Sequence, residues 1–232
     1  IIEGDYAQLE FRVAAELSKC LIARHDIIKG IDVHQRTADV LTEAGQPTTR
    51  QGAKEHTFKP LYGGTSGSHA EQVYYKGFLN KYLGIKAWHK KICDVAVDYH
   101  KLTLPTGRIY YFPWAQRSNH GGISGATKIK NYPVQGFATG DIVPIGATKL
   151  HYLMQEKGLK SLLINEVHDS VVVDTYPGEE EEVLECIKEA LLGVVDHLAK
   201  TFNYKFTVPL AIEVKKGRNW LDMETIMEAS TE

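Results

Sequence analysis

The sequence predicts an α+β fold, with one antiparallel sheet assembled from both ends of the chain and helices crowding the middle. Three observations carry this. Apolar runs of strand length open the chain at 1–6 and, a short central hairpin apart, return only at 161–167, 170–175 and 208–214. Between them apolar residues recur at three- and four-residue spacing, the period of an amphipathic helix. Composition is that of an ordinary globular chain, 43% hydrophobic and 24% charged over 232 residues, enough to bury a substantial core.

In order, the strand at 1–6 feeds a helix at 8–19, with Leu9, Val13 and Leu17 on one face. Asp32 caps a helix over 33–44 that Gly45 ends. Pro47 and then Thr48 or Thr49 open a helix at 50–62, and helices at 67–80 and 86–101 follow. Pro105-Thr106-Gly107 turns a hairpin between 102–104 and 108–112. A long helix over 135–157 precedes strands at 161–167 and 170–175, a helix at 179–201 and a last strand near 208–214. The acidic run Glu179 to Glu182 reads as a solvated helix N-terminus, where carboxylates favour the macrodipole. The chain opens on Ile1-Ile2 without a methionine, whereas domains more often begin polar and frayed. The expectation is a piece of something longer, cut close to its active site, with Ile1 and Ile2 at an exposed sheet edge.

Net charge is −2, from 27 basic and 29 acidic residues. That excludes a uniformly basic protein and leaves room for a local basic groove. Cys20, Cys93 and Cys186 are odd in number and far apart, without CxxC or Cys/His spacing, which argues against zinc and against a disulfide framework. A reducing, cytoplasmic setting is the simplest inference. No apolar run reaches the ~18–20 residues of a membrane span, and no signal-peptide pattern is visible in these residues.

Three constellations carry chemistry. In Asp5-Tyr6-Ala7-Gln8-Leu9-Glu10-Phe11-Arg12, Asp5 ends an apolar strand as the chain turns into a helix; alone, such an aspartate is more often a cap. In Val167-His168-Asp169-Ser170-Val171, an ionisable pair interrupts two apolar strands, as a turn residue or as a functional carboxylate. In the helix from Arg50, the residues Arg50, Lys54, Phe58 and Tyr62 recur every four positions. This makes one stripe of two cations followed by two aromatics, suited to a ligand with phosphates at one end and a flat ring at the other.

Together these segments resemble the polymerase domain of family A DNA polymerases, the DNA polymerase I group, especially bacteriophage members. DYAQLEFR is similar to motif A, RQGAKEHTFKPLYGG to motif B with its R-x3-K-x3-F-x3-Y-G frame, and VHDS to motif C. Asp32-Val33-His34 and Asn131 to Gly136 match further, and the resemblance runs from residue 1 to GRNW at 217–220. It implies palm plus helical fingers of the right-hand polymerase fold. Residues 1–31 would be the first part of the palm, 32–130 mainly fingers, and 131–232 the second part of the palm. The thumb and a 3′–5′ exonuclease would precede residue 1, as an upstream polymerase portion in the same or a separate chain. Without it the isolated chain is expected to extend primers poorly.

The resemblance also implies template-directed transfer of a dNTP to a primer 3′-hydroxyl by a two-metal mechanism, with two Mg2+ ions, or Mn2+ in their place. Asp5 and Asp169 would be the catalytic carboxylates and metal ligands, joined by the Tyr6 carbonyl. Arg50 and Lys54 would grip the triphosphate with His34 beside them, and Phe58 and Tyr62 would lie by the sugar and base. Glu10 would be the steric gate against a 2′-hydroxyl; failing that, it pairs with a neighbouring cation on the helix surface. Asn131, Gln135, His168 and Arg12 would contact primer-template DNA. The setting would be cytoplasmic, that of the host if phage-encoded, with no membrane partner. Ser170 stands where the family commonly has a glutamate, and Pro60 interrupts the motif B helix. The alternatives are a non-catalytic remnant that binds primer-template and a single-subunit RNA polymerase-like enzyme.

Overall fold

The computed structural model describes residues 1–231. Its strands are β1 (Ile2–Tyr6), β2 (Lys101–Thr103), β3 (Ile109–Tyr111), β4 (Leu162–Val167), β5 (Ser170–Asp174), β6 (Ala211–Lys216) and β7 (Glu224–Ser230). Its helices are α1 (Leu9–Ser18), α2 (Leu21–Ile28), α3 (Val33–Glu43), α4 (Arg50–Leu61), α5 (His69–Lys81), α6 (Leu83–Tyr99), α7 (Ala126–Phe137), α8 (Val143–Glu156), α9 (Glu180–Leu192) and α10 (Val194–Phe202), with a π turn at Ala138–Ile142 between α7 and α8. The chain divides into two units. One comprises residues 1–10, 105–107 and 135–232, and the other 11–104 and 108–134.

The first unit is built on an antiparallel sheet of order β4-β5-β1-β6-β7. β1 is thus the middle strand, paired with β5 on one side and β6 on the other. The expectation that Ile1 and Ile2 lie at a cut edge is corrected: Ile2 is fully buried, and the N-terminal amine donates to the Gly217 carbonyl at 2.8 Å. An apolar opening strand gains most when both of its edges are hydrogen-bonded and one face is covered. Ile2, Gly4 and Tyr6 are the buried set in its alternation. A Cβ on Gly4 would lie 2.6 Å from Ile187 Cγ2 and 3.1 Å from Leu191 Cδ1, so α9 presses directly on the backbone there. Gly146 gives α8 the same closeness, since its Cβ would meet Leu191 at 2.8 Å and the Tyr6 hydroxyl at 3.1 Å. Tyr6 donates its hydroxyl to the Leu191 carbonyl at 2.6 Å, one of the last α9 carbonyls, which have no partner within the helix.

The second unit is mostly helical. Phe11, Phe78 and Tyr82 meet edge-to-face, with the Tyr82 ring 5.4 Å from Phe11 and 4.8 Å from Phe78. Ile92, Cys93 and Ala96 of α6 share a core with Leu102, Phe112, Ala115 and Ile129. Ser68 and Glu71 form a capping box that starts α5.

Several boundaries differ from expectation, each for a local reason. α2 has no side-chain cap at Cys20 and leaves Leu21 and Ile22 exposed, so neither a cap nor a regular apolar stripe announces it. The helix expected from residue 135 begins at Ala126 and runs through Pro133, a residue that would be read as a stop. The helix expected over 179–201 is two, α9 and α10, divided at Gly193. The strand placed near 208–214 is β6, a few residues later, and β7 follows it. Glu179 is not merely solvated. Its carboxylate accepts from the backbone N–H groups of Lys160 and Ser161 at 2.9 Å each and from the Ser161 hydroxyl at 2.7 Å.

Gly4→Ala should therefore destabilise the chain by roughly 1–3 kcal/mol through overpacking against α9. Denaturant midpoints measure this, and an unchanged midpoint would mean that α9 yields at no cost.

Candidate active site

The first unit gathers the two aspartates. β1 alternates, so Glu3 and Asp5 face away from Ile2, Gly4 and Tyr6. Asp5 stands opposite Ser170 on β5 and Glu213 on β6. β4 and β5 are joined by the two-residue turn His168-Asp169, closed by the Val167–Ser170 pair. The Tyr6 N–H donates to the Asp169 carbonyl at 3.1 Å, which ties the turn to the end of β1. His168 is exposed and holds a left-handed backbone, φ +54°. That conformation costs a non-glycine residue ~1–2 kcal/mol, and such strain gathers at functional sites.

Asp5 Oδ1 is buried and without a hydrogen-bond partner. Burial pushes the Asp5 carboxyl up to about 7, the nearby Asp169 adds to this, Lys215 opposes it, and Glu3 and Glu213 raise it further. An orphaned carboxylate oxygen beside a second aspartate fits a cation, which would satisfy the lone pairs and offset the repulsion. Among the described residues no group of three or more His, Cys, Asp or Glu side chains is arranged to hold a metal ion alone. This suits an ion that takes only a few protein carboxylates and completes its shell from substrate phosphates and water. Tyr6 can offer only its backbone, because its ring is buried and its hydroxyl is committed to Leu191.

Glu10, in the first turn of α1, accepts a hydrogen bond from Gln135 Nε2 at 2.5 Å across 125 residues of sequence. This partner is an amide on α7 that was itself expected to contact DNA. Asn131 lies one turn before Gln135 on α7 and is half-buried. Arg12 is also half-buried, and burial lowers its guanidinium to about 10.

The second unit carries the α4 stripe. Ala53, Thr57, Pro60 and Leu61 turn inward, leaving Arg50 and Lys54 exposed and Phe58 and Tyr62 half-buried. Thr49 caps the helix through its hydroxyl, which accepts from the Gly52 N–H at 3.2 Å. Arg50 Nε donates to Asp32 Oδ2 at 2.5 Å. Asp32 is also the α3 cap, accepting from the N–H groups of His34 and Gln35 at 3.0 and 3.1 Å. Burial opposes its ionisation, yet the Arg50 guanidinium and these N–H groups hold its carboxyl below the ordinary value. His34 is buried with Nδ1 3.1 Å from Thr57 Oγ1 and its ring edge-on to Phe58 at 5.5 Å; burial lowers its pKa.

The structure therefore sorts the candidates. Asp5, Tyr6, Glu10, Gln135, His168 and Asp169 fall in the first unit, and Arg12, His34, Arg50, Lys54, Phe58, Tyr62 and Asn131 in the second. Sequence reasoning missed Glu3, Glu213 and Lys215 around Asp5. Glu3 was findable as the residue two before Asp5 on a strand, while the β6 pair needed the register.

Comparison with known proteins shows the family and the fold. The family model for DNA polymerase family A matches residues 1–222. The thermostable DNA polymerase I of Thermus aquaticus is 29% identical over 235 residues, covering 95% of this chain and 27% of its own length. DNA polymerase I of Pseudomonas aeruginosa is 29% identical over 238 residues, covering 95% of this chain and 24% of its own length. The chain thus spans about a quarter of the curated relatives it matches. Among solved structures, the POL domain of Pol1 from M. smegmatis, in complex with DNA primer-template and dNTP, superposes with a TM-score of 0.77 at 22% identity, over 94% of this chain and 39% of that one. The antiparallel sheet with flanking helices is accordingly the fold of such a domain, and with nearly its whole length matched by the family model, the chain belongs to DNA polymerase family A.

Proposed function

We propose that the chain carries the nucleotidyl-transfer site of a template-directed DNA polymerase, which joins a dNTP to a primer 3′-hydroxyl. The observation that carries this is the meeting of Asp5 and Asp169 at the ends of neighbouring strands, with Asp5 Oδ1 buried and unpartnered. In this reading the sheet unit is the palm and the helical unit the fingers. Asp5, Asp169 and the Tyr6 carbonyl would hold two divalent cations, Mg2+ or Mn2+, which when bound supply neutralisation of the charge on the reacting phosphate and hydroxyl oxygens.

The chain's own residues do the rest. Arg50 and Lys54 bind the triphosphate, Arg50 as a guanidinium fork already held by one carboxylate and Lys54 as an exposed point charge. His34, fixed by Thr57 and Phe58, stands with them on the phosphate side. Phe58 and Tyr62 flank the sugar and base. Glu10, clamped by Gln135, fills the volume that a 2′-hydroxyl would need. Asn131, Gln135, His168 and Arg12 contact primer-template near its end. A net charge of −2 gives little general attraction for DNA, and phosphate contacts dominate such affinity. We therefore include in the proposal an upstream polymerase portion that shares the grip on duplex DNA. Three buried free thiols, Cys20, Cys93 and Cys186, support a reducing cytoplasmic setting.

Asp169→Asn in the polymerase containing this chain should lower single-turnover primer extension by roughly 10²–10³-fold or more. DNA affinity measured by fluorescence anisotropy should hold, and retained extension would sink the assignment. Glu10→Ala should raise ribonucleotide over deoxynucleotide incorporation by roughly tenfold or more, read from competitive extension; an unchanged ratio removes the gate role.

The raised Asp5 pKa also sets a pH dependence. Its folded value, about 7, exceeds the ordinary 3.8, so the native state binds this proton more tightly than the unfolded chain does. Its contribution is fully present below about 4 and is lost as pH rises toward 7. Without metal, the wild type should lose roughly 2 kcal/mol across that window relative to Asp5→Asn, about half the full linkage value because the carboxylate keeps some solvent contact. Urea midpoints in chelator measure the difference, and parallel curves for the two proteins would refute it.

A further inference from the structure

The face of the sheet that holds Asp5 carries a further carboxylate that the proposed reaction does not use. Glu3 lies two residues before Asp5 on the same face of β1. Its cross-strand partner on β5 is Val172, whereas Ser170 stands opposite Asp5. Even so, the Ser170 hydroxyl lies 2.8 Å from Glu3 Oε1, as donor to it. The bond runs diagonally between rungs and draws the Glu3 carboxylate along the face toward the rung of Asp5. Ser170 is only 4% exposed, and its hydroxyl is also 3.1 Å from the Val167 carbonyl. One hydroxyl proton serves one acceptor at a time, and the nearer, charged oxygen is the stronger. Lys215, opposite Glu3 on β6, places its ammonium 3.1 Å from Glu213 Oε2. Lys215 also acts on Asp5 and Glu3, so it partly offsets the carboxylates of this face, to which Glu3 adds one next to the rung of Asp5.

Resting on the nucleotidyl-transfer site proposed above, we propose that Glu3 is a positioning residue for the divalent cations of that site. It is an outer carboxylate, aimed by Ser170, that supplements Asp5 and Asp169 without ligating directly. An outer role agrees with the lack, among the described residues, of three side chains close enough to hold an ion together. Carboxylates beyond the direct ligands orient bound water and raise the affinity of the site. They do so only if held in place, and a buried hydroxyl on the neighbouring strand holds this one.

Mn2+ binding to the metal-free chain, followed by electron paramagnetic resonance of the free ion, tests this without requiring activity. Glu3→Gln keeps the shape and an acceptor for Ser170 while removing the charge, so a merely structural role would leave affinity unchanged. The expected result is a loss of affinity of roughly tenfold, with thermal melting unchanged. Glu181→Gln, the same charge change on an exposed position of α9, should have no effect. Ser170→Ala should lose less than Glu3→Gln, and the double variant should bind no more weakly than Glu3→Gln, because Ser170 acts through Glu3. Unchanged affinity in Glu3→Gln, with binding lost in Asp5→Asn and Asp169→Asn, overturns the role of Glu3 alone. Unchanged affinity in all three overturns the underlying site and this role with it. Additive losses in the double variant overturn the aiming by Ser170, and an equal loss in Glu181→Gln reduces the effect to general charge.

Discussion

The pairing of β1 along both of its edges is the constraint on which the candidate site depends. A strand hydrogen-bonded to β5 and to β6 cannot rotate, and its period of two then assigns every side chain to a face. Ile2, Gly4 and Tyr6 go under α8 and α9; Glu3 and Asp5 go to the opposite, partly buried face. A slip of one residue would drive the carboxylates into the helices and expose the apolar set. Gly4 and Gly146 lock the register further, because neither close approach tolerates a Cβ without movement. The position of Asp5 is therefore fixed by packing on the face opposite to its own.

That rigidity allows the site to be held in an unfavourable electrostatic state. Asp5 is partly buried near Asp169 with Glu3 and Glu213 in its field, and one of its oxygens has no partner. His168 adds a left-handed backbone at the turn. Each feature costs stability, and neither would survive in a loosely packed sheet. Compensation lies in the buried parts of the same strands: Ile2 at one end of β1, the Tyr6 hydroxyl on an α9 carbonyl, and the run Val171, Val172 and Val173 on β5, all essentially inaccessible.

What could be read from sequence follows from how local each signal is. The α4 stripe was legible because a helix repeats every 3.6 residues, and Arg50, Lys54, Phe58 and Tyr62 obey that period without reference to anything else. Asp5 and Asp169 were legible as charges interrupting apolar strands. The central place of β1 was not, since strand order is set by pairing partners more than 160 residues away. The clamp of Gln135 on Glu10, 125 residues away, and the grip of Asp32 on Arg50, 18 residues away on the next helix, were hidden because they depend on how separate elements pack and not on any local period. α2 lacked a cap, α7 contained a proline, and α9 and α10 read as one helix because a single glycine inside an apolar period seldom looks like a break.

The distribution of the site over the chain has an energetic consequence. Asp5 and Glu10 come from the first ten residues, and Gln135, His168, Asp169 and Ser170 from the last hundred, so the constellation exists only when the sheet is complete. A ligand that needs it binds the folded state and not the unfolded one, which makes binding energy into folding energy. A cation at Asp5 and Asp169 would offset the burial, and after it the Asp169 charge, that together raise the Asp5 pKa, and so would add to the stability of the fold. The same sheet that fixes the carboxylates against each other is then stabilised by what they attract. An acidic, strained centre in a chain of net charge −2 carries its cost at the place where a bound cation would offset it.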